Sequence, residues 1–164
     1  MKKPIIQSIL WAFVLIWMLL IFWLSSQPAA ESSALSGNVI RRVVELVRPD
    51  FLSLPAKQQA AMIAAWQHGA RKAAHVLIYL VLGALCMAAL LRQKKQRRPA
   101  FALAIVICLL YAVSDELHQF YVDGRGAQIS DVGIDACGSF AGITLVWLAH
   151  YLRTSRLRPG RECS

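Results

Sequence analysis

The run Ser114-Asp115-Glu116-Leu117-His118-Gln119-Phe120 sets two carboxylates, an imidazole and an amide on about two turns of helix. It follows an apolar stretch, Phe101 to Val113, that would cross most of a bilayer. A carboxylate inside the hydrocarbon costs about 2.5–3.5 kcal/mol on insertion scales, so these groups must be neutralised or put to use. Asp115 or Glu116, with His118 or His75, could trade protons as general acid and base. Asp115 lies fourteen residues beyond Phe101, about 21 Å along a helix. That depth is the far half of a hydrocarbon core about 30 Å thick.

Two other stretches repeat the theme. Arg71, His75 and Tyr79 fall at i, i+4 and i+8, close to one helical face. Lys72 beside them reads as a snorkelling side chain, whereas His75, a turn further in, requires a hydrogen-bond partner. Asp131, Asp135, Gly138 and Gly142 fall at i, i+4, i+7 and i+11, a single stripe. Gly138-x-x-x-Gly142 is a small-x-x-x-small packing pattern, so the face that carries both aspartates should meet another helix rather than lipid. Asp123-Gly124-Arg125-Gly126 reads as a tight turn, since glycine frees the backbone there.

The elements that must position these groups follow from composition. The chain has 164 residues, 57% of them hydrophobic, with mean hydropathy +0.50. That is too apolar for a soluble domain of this size. The expected fold is an all-α membrane protein: one domain, residues 1–164, built as a four-transmembrane-helix bundle. The spans fall at about 5–24, 71–91, 100–120 and 131–152, with an outer segment over 25–70. Ser25-Ser26-Gln27-Pro28 should break the first helix. In the outer segment, Val39, Ile40, Val43, Val44, Leu46 and Val47 oppose Arg41, Arg42 and Glu45, the pattern of a helix lying in the membrane interface. A second short helix, Ala56 to His68, should end at a joint at Gly69.

Net charge is +9, and the basic residues cluster at Lys2-Lys3, Arg92 to Arg98 and Arg153 to Arg161, with Glu162 their only acid. The other acids lie in the complementary segments. This is the positive-inside pattern, which places both termini in the cytoplasm and argues against nucleic acid as a partner. The four cysteines form no C-x-x-C motif; Cys86, Cys108 and Cys137 read as small core residues, and no disulfide is expected.

With that topology the polar ends converge at one depth in the outer leaflet. Arg71, His75, Tyr79, Ser114, Asp115, Glu116, His118, Gln119, Arg125, Asp131 and Asp135 should meet there. One outcome is an ion-pair network, with Arg71, Lys72 and Arg125 balancing four carboxylates. Another is a pocket for an anionic lipid or lipid-linked headgroup, with Arg71 and Arg125 gripping it in bidentate fashion and His75, Tyr79 and Gln119 orienting it. A third is an intramembrane enzyme, with Asp115, Glu116, His75, His118 and Asp135 as catalytic candidates. A metal variant would use His75, His118 and carboxylates of the third and fourth spans, but the H-E-x-x-H spacing is absent. No metal or resident cofactor is therefore expected. A transporter has little support, because four spans without an internal repeat leave no alternating halves.

The ordered set Ser25-Ser26-Gln27, Arg71-Lys-x-x-His75-x-x-x-Tyr79, Ser114-Asp-Glu-x-His-Gln-Phe120, Arg125, Asp131, Asp135 and Gly138-x-x-x-Gly142 resembles the VanZ-like family. The likeness covers most of the chain, from about Leu24 to Gly142. It implies a small multi-pass protein of the bacterial cytoplasmic membrane with an envelope role. It also implies a link to low-level resistance to the glycopeptide teicoplanin, associated with the founding member, and no established reaction. Its partners would be membrane lipids or a lipid-linked envelope precursor, with the oligomeric state open.

Overall fold

Length and apolarity dictate the architecture. The computed structural model describes the backbone of residues 2–93, 96–126 and 128–156 and the side chains of residues 5–28, 37–93, 96–126 and 128–155. Lys94, Lys95, Arg158, Arg161, Glu162 and Cys163 of the basic segments lie outside the described residues. Five α-helices and no strand occur among the described residues: α1 Lys2–Ser25, α2 Ala29–Val47, α3 Ala56–Gln93, α4 Arg97–Gln119 and α5 Ile129–Arg156, with a 3₁₀ turn at Phe51–Ser53. Four of them, α1, α3, α4 and α5, are long and apolar enough to cross a membrane. The chain is an all-α membrane protein.

The joint expected at Gly69 does not form. Helix α3 runs unbroken for 38 residues, about 57 Å, roughly twice the hydrocarbon thickness. A glycine inside a helix costs only about 1 kcal/mol relative to alanine, and the alanine-rich sequence on both sides outweighs it. One end of α3 therefore projects beyond the core. Ile40 and Val44 of α2, with Phe51, pack on Leu54, Met62 and Ile63 at that projecting end. The rest of the apolar stripe of α2, Val39, Val43, Leu46 and Val47, stays exposed.

Close packing of α3 against α5 sets the core. A Cβ at Gly142 would overlap the Leu80 carbonyl and the Ala84 amide; at Gly138 it would overlap the Val76 carbonyl, and at Gly83 the Ser139 backbone. The glycine stripe on α5 thus meets α3 backbone to backbone, as its spacing requires. Gly83, the reciprocal glycine on α3, carries no such pattern in the sequence. Helix α4 joins through small residues at every fourth position, with Ala100, Ala104, Cys108 and Ala112 fully buried. That seam continues into Asp115, Glu116 and Gln119, all buried. The expectation for cysteine holds at Cys86 and Cys108 but not at Cys137, which is exposed on the outer side of α5.

Helix α1 lies at the edge, with Val14, Ile21 and Ser25 as its buried positions. Two side chains pin it by bonding main-chain carbonyls: the Trp17 indole donates to Ile78 O at 2.9 Å, and the Tyr111 hydroxyl to Met18 O. At the far end of the bundle Arg97 donates to Thr154 and stands 5.6 Å over the Tyr151 ring.

The glycine contacts make a differential prediction. Gly142→Leu should push α3 and α5 apart, lower the melting temperature in detergent and reduce membrane abundance, at a cost of about 1–3 kcal/mol or more. Gly133→Ala, where the added Cβ meets nothing within 4 Å, should be neutral or slightly stabilising. Equal melting temperatures for the two variants would contradict the packing.

Candidate functional site

The polar groups gather where the C-termini of α1 and α4, the N-terminus of α5 and the 71–79 stretch of α3 come together. The buried seam of α4 delivers Asp115, only 3% exposed. Its Oδ2 accepts three hydrogen bonds, from Ser25 Oγ at 3.0 Å, Gln119 Nε2 at 3.1 Å and the Tyr79 hydroxyl at 3.2 Å. Its Oδ1 is buried with no partner among the described residues. Asp135 is fully buried, carried there by the glycine-lined face of α5. Its Oδ1 lies 3.2 Å from His75 Nδ1, while Oδ2 has no partner among the described residues. His75, one residue before Val76 on α3, thus finds its required partner across the closest helix contact.

Several residues grouped with these in the sequence are turned to other tasks. Glu116 reaches beyond the end of α4 and accepts the Gln128 backbone N–H through Oε1. A carboxylate at the start of α5 is favoured by the unpaired amides and the dipole there, so Glu116 holds the turn onto α5. Ser114 is exposed and bonds back to Tyr111 O at 2.8 Å. His118 leans on α1, stacked on Phe22 with ring centroids 4.3 Å apart, with Nε2 2.9 Å from Ser26 Oγ. The Ser26 hydroxyl already donates to Phe22 O at 2.7 Å. Ser26 and His118 thus share one hydrogen bond across the contact between α1 and α4.

Arg125 also differs from the headgroup clamp expected of it. Its Nε donates to Gln27 O at 2.9 Å and an Nη to Leu24 O at 3.3 Å, with a long contact from the other Nη to Gln119 Oε1 at 3.5 Å. The guanidinium caps the carbonyls left unpaired at the end of α1. Gly124, at φ 72°, provides the left-handed turn that brings it there. Burial, then the nearby charge of Arg71, draws the Arg125 pKa below its ordinary value, though a guanidinium remains charged.

Of the ion-pair network that was one of the outcomes open to the sequence, only two pairs form here among the described residues. Lys72 reaches Asp131 at 3.9 Å, and His75 reaches Asp135. Among the described residues, no lysine or arginine bonds Asp115, Glu116 or Asp135. Arg71 makes no hydrogen bond or ion pair among the described residues. It stands in the wall shared by two cavities. One, of about 300 Å³, is mainly apolar and runs between α1 and α3 past Ile21, Leu24, Ile40 and Ile78 to Arg71, His75 and Tyr79. The other, of about 130 Å³, is polar and is lined by Arg71, Lys72, His75, Arg125, Gln128 and Asp131.

Ser25 and Ser26 are the residues whose role here the sequence reading missed. Seen as helix breakers, they are buried or half-buried partners of Asp115 and His118. Their place in the ordered motif set was the one available signal.

If Arg125 is a helix-end cap, Arg125→Lys should destabilise the protein although charge is kept. An ammonium lacks the planar fork that reaches Leu24 O and Gln27 O together. The loss should be about 1.5–3 kcal/mol, read as a lower melting temperature in detergent. An unchanged melting temperature would mean that the cap contributes nothing.

The sequence model of the VanZ/LLP1 family matches residues 10–150. No curated protein and no solved structure matches the chain.

Proposed function

The chain belongs to the VanZ/LLP1 family, and from that premise we propose that it is a cell-envelope membrane protein that recognises an anionic lipid or lipid-linked headgroup in the outer leaflet of the bacterial cytoplasmic membrane. One observation carries this reading. Arg71, a cation without a protein partner among the described residues, sits where an apolar cavity meets a polar one. An amphipathic ligand has that division: chain in the apolar channel, phosphate or carboxylate at the guanidinium. Arg125, held nearby by α1, adds a second positive charge whose repulsion with Arg71 an anion would relieve. Tyr79, His75 and Gln119 supply polar edges around it. The link to teicoplanin-type glycopeptide resistance would run through a lipid-linked envelope precursor seated in this pocket.

The His75–Asp135 pair also favours a second reading, an intramembrane enzyme acting on such a lipid by acid–base chemistry. Its residues would be His75, Asp135 and Asp115, since His118 and Glu116 are engaged elsewhere. Release of phosphate or of a cleaved headgroup by purified protein would select it; saturable binding without turnover selects the pocket.

Titrating purified protein with phosphatidylglycerol and with phosphatidylcholine tests the first reading. Wild type should bind the anionic lipid saturably, and Arg71→Gln should weaken that binding at least tenfold, as loss of a charge-assisted bond of about 1.5–3 kcal/mol requires, without lowering the melting temperature. Equal affinity for the two lipids in wild type would sink the proposal.

The reading also fixes an orientation. On a background with its four cysteines replaced by alanine, Gly124→Cys should react with an impermeant maleimide in whole cells. Gln96→Cys should react only after lysis. The reverse pattern would put the pocket on the cytoplasmic side.

A further inference from the structure

His75, Asp115 and Asp135 come from three different helices, yet one donor atom of each lies within 4.8 Å of the other two. Both carboxylates are at least nine-tenths buried, and each keeps one oxygen, Asp115 Oδ1 and Asp135 Oδ2, without a hydrogen bond among the described residues. Buried acceptors left unpaired are costly, and two buried carboxylates side by side are more so, since each repels the other. The nearby cations do not relieve this. Lys72 is on Asp131, Arg125 on the α1 carbonyls, and Arg71 forms no ion pair among the described residues.

We infer that His75, Asp115 and Asp135 bind one divalent metal ion of the zinc class. Two carboxylates and a neutral imidazole cancel a charge of +2, which removes the penalty of charge in an apolar bundle. One nitrogen and two oxygens are donors that zinc accepts, and three protein ligands leave a coordination position open. Ligand atoms on one tetrahedral zinc stand roughly 3.3–3.5 Å apart at bond lengths near 2.0–2.2 Å, so small side-chain rotations close the set. Asp115 Oδ2 keeps Ser25, Tyr79 and Gln119, which orient that carboxylate in the manner of an outer-shell partner. His75 and Tyr79 line the apolar cavity and His75 the polar one, so the site borders the pocket through His75. The ion site stands on these donors alone; that the open position takes a headgroup oxygen rests on the lipid reading above.

The test uses untagged full-length protein in detergent, stripped with chelator and titrated with Zn²⁺ by calorimetry and elemental analysis. Wild type should bind one ion per chain and melt at a higher temperature with zinc than without. Asp135→Asn and, independently, Asp115→Asn should each weaken binding at least tenfold, while Asp50→Asn, a surface carboxylate, should bind as wild type. Co²⁺ in place of zinc should give visible absorption bands that His75→Gln alters. Absence of a stoichiometric ion in wild type overturns the inference even if neither aspartate variant folds, and so does wild-type affinity in both variants. A wild type that takes up no ion in the zinc titration yet binds phosphatidylglycerol overturns the metal site and leaves the lipid pocket standing. A stoichiometric ion in a protein that ignores anionic lipid upholds the site and removes the pocket.

Discussion

The backbone contact between α3 and α5 is the constraint on which the rest depends. Gly138 and Gly142 let α5 settle against the carbonyls of Val76 and Leu80, and Gly83 returns the contact from α3. Neighbouring lipid tails are as apolar as leucine, so burial alone does not drive spans together in a membrane; close van der Waals approach does. His75 immediately precedes Val76, and Asp135 lies three residues before Gly138. The 3.2 Å separation of His75 from Asp135 is therefore inherited from the glycine contact. Widening the seam by one methyl group would part them.

Around that seam the polar end is closed by bonds to helix termini rather than by ion pairs. Arg125 ties the turn before α5 to the end of α1, Glu116 ties α4 to the start of α5, and Ser26 bonds His118 on α4. This satisfies carbonyls and amides that helix geometry leaves unpaired at helix ends. These ties hold the frame, and among the described residues Arg71 and one oxygen each of Asp115, Glu116 and Asp135 stay without protein partners. Such residual demand for partners, beside a cavity, is what a ligand can satisfy. The projecting half of α3, with α2 packed on it, adds Ile40 and Gln67 to the wall of the apolar channel, so the segment outside the spans helps to form the pocket.

The sequence by itself determined the class of molecule and singled out its polar groups. Four apolar runs, the basic clusters that flank them, the Asp131–Gly142 stripe and the ordered polar motifs were enough for an all-α membrane bundle and for the family. The packing meaning of Gly138 and Gly142 was also legible, because helical spacing reports which residues share a face. Spacing does not report how one helix is rotated or slid against the next. Tertiary structure alone decided that Asp115 and Asp135 meet at His75 while His118, only three residues from Asp115, turns to α1. It also assigned Arg125 and Glu116 to helix ends and raised Ser25 and Ser26 from helix breakers to site partners. Each of these outcomes depends on which neighbour is within hydrogen-bond reach, a distance of about 3 Å that a shift of a single helical turn would erase.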